Sequence, residues 1–298
     1  MAGGTSSELA GAIWDKQSVW SQAADRMKAG IERARAAALG LTIMAAVLTT
    51  LATQVASLSS AVGKALAIAA AVSVGLAPVA RSRLAAVPLA DWTRARSVSE
   101  GLKSEMYTYL AGAGEYRGDG RDQQLGARTQ QVLTDADDLI RHTAGLGPVK
   151  RSLPHISDAG TYLTGRLDPQ LDWYSMRAGT LRTKLAWVRY VLIALSALGV
   201  ALAALAATLA LTAAAAWVAV ATTVGTAVAA YAAASRYEYQ LVEYLRTAAQ
   251  LERLRTGWTT GSHDTAAADA FVLGSEQVIS VQNEAWMAKW ADPAAAAP

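Results

Sequence analysis

The sequence contains no cysteine and a single phenylalanine, and only 17% of its 298 residues are charged. Without cysteine there is no disulfide, no thiol nucleophile and no cysteine-ligated metal. Catalytic signatures are missing too: no P-loop, no G-x-G-x-x-G opening a helix, no H-E-x-x-H and no G-x-S-x-G. His142, His155 and His263 are scattered, and Asp135, Asp137 and Asp138 read as a solvated helix face rather than a cation site. Neither an enzyme nor a cofactor is expected. A net charge of +3 is too small to indicate a nucleic-acid binder. The most informative absence is of charge itself: none occurs from Tyr190 to Ser235, between Arg189 and Arg236.

One helix over that stretch would rise about 70 Å, more than twice the ~30 Å hydrocarbon thickness of a bilayer. It must therefore double back. The turn is expected near Leu211–Ala216, with the second leg resuming at Trp217, giving a transmembrane hairpin over about 188–235. A second uncharged run spans Ala36 to Gly63 and, after Lys64, continues to Ala80. It fits helices at 37–57 and 61–80 joined by Ser57–Ser60, with Pro78 tolerable near an end and Lys64 snorkelling to the interface. Hydrophobic residues make up 53% of the chain, much of it alanine, so the membrane reading rests on unbroken length rather than on intensity. The opening Met1-Ala2-Gly3-Gly4-Thr5 has no basic-then-apolar signal pattern, so the hairpins themselves are expected to direct insertion.

Basic residues set the orientation. Arg26, Lys28, Arg33 and Arg35 precede the first hairpin, and Arg81, Arg83, Arg94 and Arg96 follow it. Arg177, Arg182, Lys184 and Arg189 precede the second, and Arg236 and Arg246 follow it. By the positive-inside rule both termini and the central segment lie in the cytoplasm, in a four-span protein of the inner (plasma) membrane.

Outside the spans the chain reads as all-α. Thr5-Ser6-Ser7-Glu8 resembles a capping box, opening an amphipathic helix whose apolar face carries Ile13, Trp20, Ala24, Met27 and Ile31. Asp91–Leu110 is expected to be helical, Gly112–Gly120 a break, Gln124–His142 a polar helix and Gly145–Pro154 a linker. The triplet Arg117-Gly118-Asp119 is read as chance. Tyr237, Leu241, Tyr244, Ala248, Leu251 and Trp258 follow a spacing near 3.5, as in a bundle helix. A last helix over about 266–291 carries Val272, Ile279, Trp286 and Trp290.

The two halves echo each other. Asp15-x-Gln17-x-x-Trp20 and Asp168-x-Gln170-x-x-Trp173 share one pattern at an offset of 170 − 17 = 153 residues. The same offset pairs Lys64 with Trp217 as outer-interface anchors and Arg83 with Arg236 at inner ends. Duplication is the better reading, with Asp168-Pro169 as cap and first-turn proline of the second copy. The expected organisation is a first unit at 1–110, a connecting segment at 111–160 and a second unit at 161–298. In the motif itself, a buried Trp ring with Gln satisfying backbone groups is preferred over a ligand site.

Arg166-x3-Gln170-x2-Trp173-Tyr174-x2-Arg177-Ala178 before a hairpin resembles the SLATT family, the SMODS and SLOG-associating two-transmembrane effector domains. Trp14-Asp15-Lys16-Gln17-Ser18-Val19-Trp20-Ser21 resembles a second subtype, in the tandem order of actinobacterial members. The resemblance implies a membrane-embedded, pore-forming effector of prokaryotic conflict and nucleotide-signalling systems, that is, of bacterial defence. With no fused sensing domain in sight, it implies a cytoplasmic sensor acting in trans.

A polar stripe supports a pore: Thr42, Thr49, Thr53, Ser57 and Ser60 recur at steps of seven, four, four and three, beside Thr50 and Gln54. Hydroxyls gain nothing from lipid, so this face should meet protein or water. Tight helix packing is the preferred explanation of the stripe, since small hydroxyl residues favour it without a pore, and Thr222, Thr223 and Thr226 repeat the ambiguity. No Asp, Glu or Arg falls inside a span, which argues against proton-coupled transport and voltage sensing. The expectation is a homo-oligomeric, lipid-embedded effector. Its rivals are a non-conducting, partner-recruiting scaffold and a soluble helical protein that hides its hairpins.

Overall fold

The computed structural model describes residues 2–82, 86–209 and 211–291. Among them there are helices and turns and no strand. Helix α1 (Ala2–Val55) runs 54 residues without a proline or a break. It starts ahead of Thr5, so the expected capping box does not open it. The amphipathic segment and the first span are therefore one helix rather than two. A turn at 56–59 leads into α2 (Ser60–Ser82), which continues past Pro78. The turn is closed by amides of Leu58 and Ser59 donating to the Val55 carbonyl at 2.9 and 2.8 Å. A Cβ on Gly63 would stand 2.8 Å from Ala56 Cα, so only glycine lets the returning leg start this close to the turn.

Helix α3 (Ala86–Ala111) ends at Gly112, whose φ of 61° is the left-handed stop that glycine supplies. A 3-10 turn (Gly114–Tyr116) leads to α4 (Arg121–Thr134). The polar helix expected to reach His142 stops there. Asp135 ends it, Arg94 binds the Asp135 carbonyl at 3.1 Å, and the chain continues as a separate 3-10 turn, Asp137–His142. An irregular stretch follows to Asp158, which caps α5 (Ala159–Tyr162) in a capping box with Thr161.

Helix α6 (Asp168–Leu209) follows α5 through one π-helical turn, Leu163–Leu167. Asp168 thus lies inside a helical run, with φ −59° and ψ −49°, and is not the cap its Asp-Pro pairing indicates. A proline ring at 169 collides with the carbonyl four residues back in a regular helix; widening the preceding turn to i−5 bonding, as the Asp168 amide does to Leu163, relieves it. The second hairpin turns at Leu211, and α7 (Thr212–Ser235) begins five residues before the expected Trp217. Helices α8 (Tyr237–Thr260) and α9 (Thr265–Ala291) complete the chain.

The fold separates into two units. Among the described residues, the first takes 2–28, 89–179 and 240–291; the second takes 29–82, 86–88, 180–209 and 211–239. Each therefore draws on both halves of the sequence.

The first unit has an ordinary protein interior. Ile13, Leu102, Met106, Leu125, Leu139, Leu167, Leu251 and Val272 are fully buried. A run of aromatic rings threads it: Trp14 meets Tyr107 edge-on at 6.0 Å, Tyr107 meets Tyr162 at 6.5 Å, and Tyr162 meets Phe271 at 5.7 Å, which stacks on Trp258 at 5.1 Å. Such pairs contribute roughly 0.5–1.5 kcal/mol each beyond the area they bury. The chain's single phenylalanine is thus a hub of this core.

The second unit is built the other way round. Its interior is mostly small: Ala34, Thr50, Ala52, Gly63, Ala70, Ser73, Ala77 and Ala221 are buried. Its outside is apolar: Ile68, Val79, Trp187, Ile193, Val200 and Leu209 are each more than half exposed. Small residues let helix backbones approach closely where lipid, not water, surrounds them.

Candidate functional site: an apolar four-helix unit and a buried charged core

Four helical stretches are long and apolar enough to cross a membrane: Ser6–Val55, Ser60–Ala80, Ala159–Leu209 and Thr212–Thr260. A soluble chain rarely exposes an apolar patch larger than a few hundred Å2. Here the most apolar window, in the third stretch, has none of its residues buried. Together with its small-residue interior, the second unit is an all-α membrane domain of two helical hairpins.

The predicted stripe divides in this unit. Thr42, Thr49 and Thr53 lie on α1, Ser57 lies in the turn, and Ser60 opens α2. Thr49, Thr53, Ser57 and Ser60 are exposed and Thr42 is half-buried, while neighbouring Thr50 is buried. Each of the first four hydroxyls donates to a carbonyl of its own segment: Thr42 to Ala38 at 2.8 Å, Thr49 to Ala45 at 2.7 Å, Thr53 to Thr50 at 2.8 Å, Ser57 to Gln54 at 3.0 Å. Thr222, Thr223 and Thr226 do the same on α7.

Gln54 ties the hairpins together. Its amide donates to the Ala213 carbonyl at 3.1 Å, and its oxygen accepts from the Trp217 indole N–H at 3.2 Å. Trp217, expected only as an interfacial anchor, is therefore one partner in a hairpin-to-hairpin clamp. Lys64 is exposed on the second turn of α2. Arg236 ends α7 in the left-handed conformation at φ 50°. Arg83 lies outside the described residues, as do the side chains of Trp286 and Trp290.

In the first unit, both motif glutamines meet an arginine. Gln17 is buried, donates to Ser99 Oγ at 3.0 Å and accepts from Arg151, whose guanidinium lies over the Trp14 ring at 3.9 Å. Gln170 accepts from Arg166 at 3.4 Å and hydrogen-bonds Tyr174. The tryptophans differ: Trp20 is buried, whereas half-buried Trp173 sits edge-on to Tyr174 and Tyr244. Asp15 is exposed, and Asp168 accepts from Arg255 Nε at 2.9 Å.

Arg166 also leads to a feature the sequence reading missed. It forms a two-pronged pair with Glu276 on α9, both nearly fully buried, and Glu276 accepts from the Tyr162 hydroxyl at 2.8 Å. Burial alone would lower the Arg166 guanidinium; the adjacent carboxylate more than reverses this and holds it above the ordinary arginine value. Arg166 further lies over the Tyr107 ring at 4.3 Å. Nearby, burial pushes Glu100 up, but Lys103 and Arg96 outweigh it and leave the carboxyl below its usual range. A cavity of about 280 Å3 opens beside this cluster, lined by Arg94, Glu100, Asp135 and Glu276 among others.

Several other polar residues hold the first unit's turns in place. Arg94 grips Asp138 at 2.6 and 2.7 Å, and Asp91 meets Arg141 and His142, which pins the 3-10 turn to α3. Arg117 of the Arg-Gly-Asp triplet binds Asp269 on α9 at 2.5 Å. His263 stands against the Trp258 ring. Among the described residues no group of three His, Asp or Glu is placed to hold a metal ion.

Residues 162–286 match the family model described as SMODS and SLOG-associating 2TM effector domain 1. Residues 18–124 match that of a protein family of unknown function, DUF4231. No curated protein and no solved structure matches the chain.

Proposed function

Since residues 162–286 belong to the SLATT family of two-transmembrane effector domains, we propose that the chain is a homo-oligomeric, membrane-permeabilising effector. It acts in a prokaryotic conflict or nucleotide-signalling system and is opened by a cytoplasmic sensor in trans. Its place is the inner membrane, with both termini in the cytoplasm, as the basic residues flanking the hairpins support. The observation that carries the reading is the inside-out second unit, whose apolar side chains face outward around a small-residue interior.

We also read the chain as a duplication. At the 153-residue offset, Val55 falls on 208, Ser60 on 213 and Ser82 on 235; the second hairpin's corresponding ends are Leu209, Thr212 and Ser235. Both motif glutamines are held by an arginine, which supports the same conclusion.

A specific observation favours a non-conducting scaffold: the stripe hydroxyls are already bonded within their own segments. Purified protein in liposomes loaded with a self-quenching dye separates the readings. Release, or single-channel current, on adding the trigger supports the effector. No conductance across a panel of signalling nucleotides, with any sensor encoded beside the gene added, supports the scaffold.

A further inference from the structure

Within the first unit, the 153-residue sequence offset relates a filled groove along α1 to an open one along α6. In the first, the irregular segment after the 3-10 turn lies along α1. The Val149 amide donates to Ser18 Oγ at 3.0 Å, Gln22 donates to the Gly147 carbonyl at 2.9 Å, and Arg151 donates to the Trp14 carbonyl at 3.2 Å. Ser18 and Gln22 correspond to Leu171 and Ser175. Those two residues, with Asp168, Asp172, Ala248, Ala249, Glu252 and Arg255, line an open groove of about 570 Å3 between α6 and α8. That volume falls within the range of ordinary ligand sites. Ala95 is fully buried, yet its counterpart Ala248 is only half-buried, and Asp172, Ser175 and Glu252 are exposed.

We infer that the α6/α8 groove is a docking site for an extended, basic polypeptide segment of another protein. The filled groove shows what the corresponding face of α1 accepts: a few residues of non-helical backbone, held at the positions that match Leu171 and Ser175. Charge sets its chemistry. The open groove carries three carboxylates, Asp168, Asp172 and Glu252, against one guanidinium. Arg255 bonds Asp168 at 2.9 Å and Glu252 at 3.5 Å, leaving Asp172 to the incoming base. In the filled groove Asp15, the counterpart of Asp168, attracts Arg151 of the occupying segment in the same sense. The inference rests on the duplication proposed above and is independent of whether the hairpins conduct.

The test uses the intact chain in detergent and a fluorescein-labelled peptide of residues 145–154, the one segment known to fit such a groove. Saturable binding by anisotropy is expected, weakened at least tenfold by Asp172→Lys with Glu252→Lys. Ser175→Trp, which fills the groove without changing charge, should abolish it while circular dichroism stays unchanged. A photo-crosslinker at position 175 should capture the peptide. Capture only from position 22, or no saturable binding, would overturn the docking site and leave the duplication, which stands on helix ends, untouched. Crosslinking from position 175 to a second copy of the chain would overturn the foreign partner and assign the groove to self-assembly.

Discussion

Arg166 and Glu276, 110 residues apart in sequence, face each other in the interior of the first unit through two hydrogen bonds of 2.9 and 3.1 Å. The pair closes the start of the second sequence half onto the last helix. Buried charges are tolerated only when each satisfies the other.

Glu276→Gln should therefore destabilise strongly, by roughly 3–5 kcal/mol, because the Arg166 guanidinium is left buried without its counter-charge. Arg166→Met with Glu276→Leu should cost far less, within about 1–2 kcal/mol of the parent, since both desolvation penalties vanish together. Thermal unfolding in detergent, followed by circular dichroism, compares the two. A double variant as unstable as the single would refute this account.

Gln54→Leu should loosen the turn ends of the hairpins. Two hydrogen bonds disappear and the Trp217 N–H is left unsatisfied, at about 1–2 kcal/mol. In a double-mutant cycle with Trp217→Phe, a coupling of about 0.5–1 kcal/mol is expected. Additive effects would show that the clamp contributes nothing.

Gly63→Val forces a side chain into Ala56 and should splay the first hairpin. Because the chain has no cysteine, single introduced cysteines flanking the turn report this directly through altered spin-label distances. Unchanged distances would show that the turn absorbs the side chain.

Thr49→Leu with Thr53→Leu removes two hydroxyls that bond only within their own helix, so stability should change by under about 1 kcal/mol. Oligomer size in detergent should be retained and conductance altered. A change in oligomerisation without a change in current would assign the stripe to packing.

Acid should weaken the first unit through particular carboxyls. Backbone and hydroxyl bonds from Thr161 hold Asp158 below the ordinary 3.8. Asp269 is pushed up by burial, but the Arg117 guanidinium and the Gly114 amide together outweigh this and leave it low as well. Groups depressed in the folded state stabilise it fully above their unfolded value and lose that contribution as pH falls through the folded one. Melting temperature should thus decline as pH drops below 3.8, and less steeply in Asp158→Asn with Asp269→Asn. Parallel acid limbs would contradict this.

Much of the architecture is visible in the chain because lipid imposes a length rule. Unbroken apolar runs, punctuated by Ser57–Ser60 and Leu211, locate both hairpins within a few residues. Local signals are less secure where tertiary packing overrides them. Asp168-Pro169 looks like a helix start, but the π turn lets the helix run through it. Thr5-Ser6-Ser7-Glu8 looks like a cap and lies inside α1. The charged core was hidden because pairing across 110 residues leaves no local trace at Arg166. At Glu276 a trace existed: a lone carboxylate at core spacing between Val272 and Ile279, where a charge has no place unless a partner waits for it. Arg151 gave no such sign, since a basic residue in a linker ordinarily faces water.

The threonines of the hairpins carry a last implication. Thr42, Thr49, Thr53, Thr222, Thr223 and Thr226 each spend their only hydroxyl proton on a carbonyl of their own helix, so what they turn outward is oxygen lone pairs alone. Water or an ion meeting such a surface finds acceptors and no donors. A passage lined this way can replace part of the hydration shell of a cation and offers nothing to an anion.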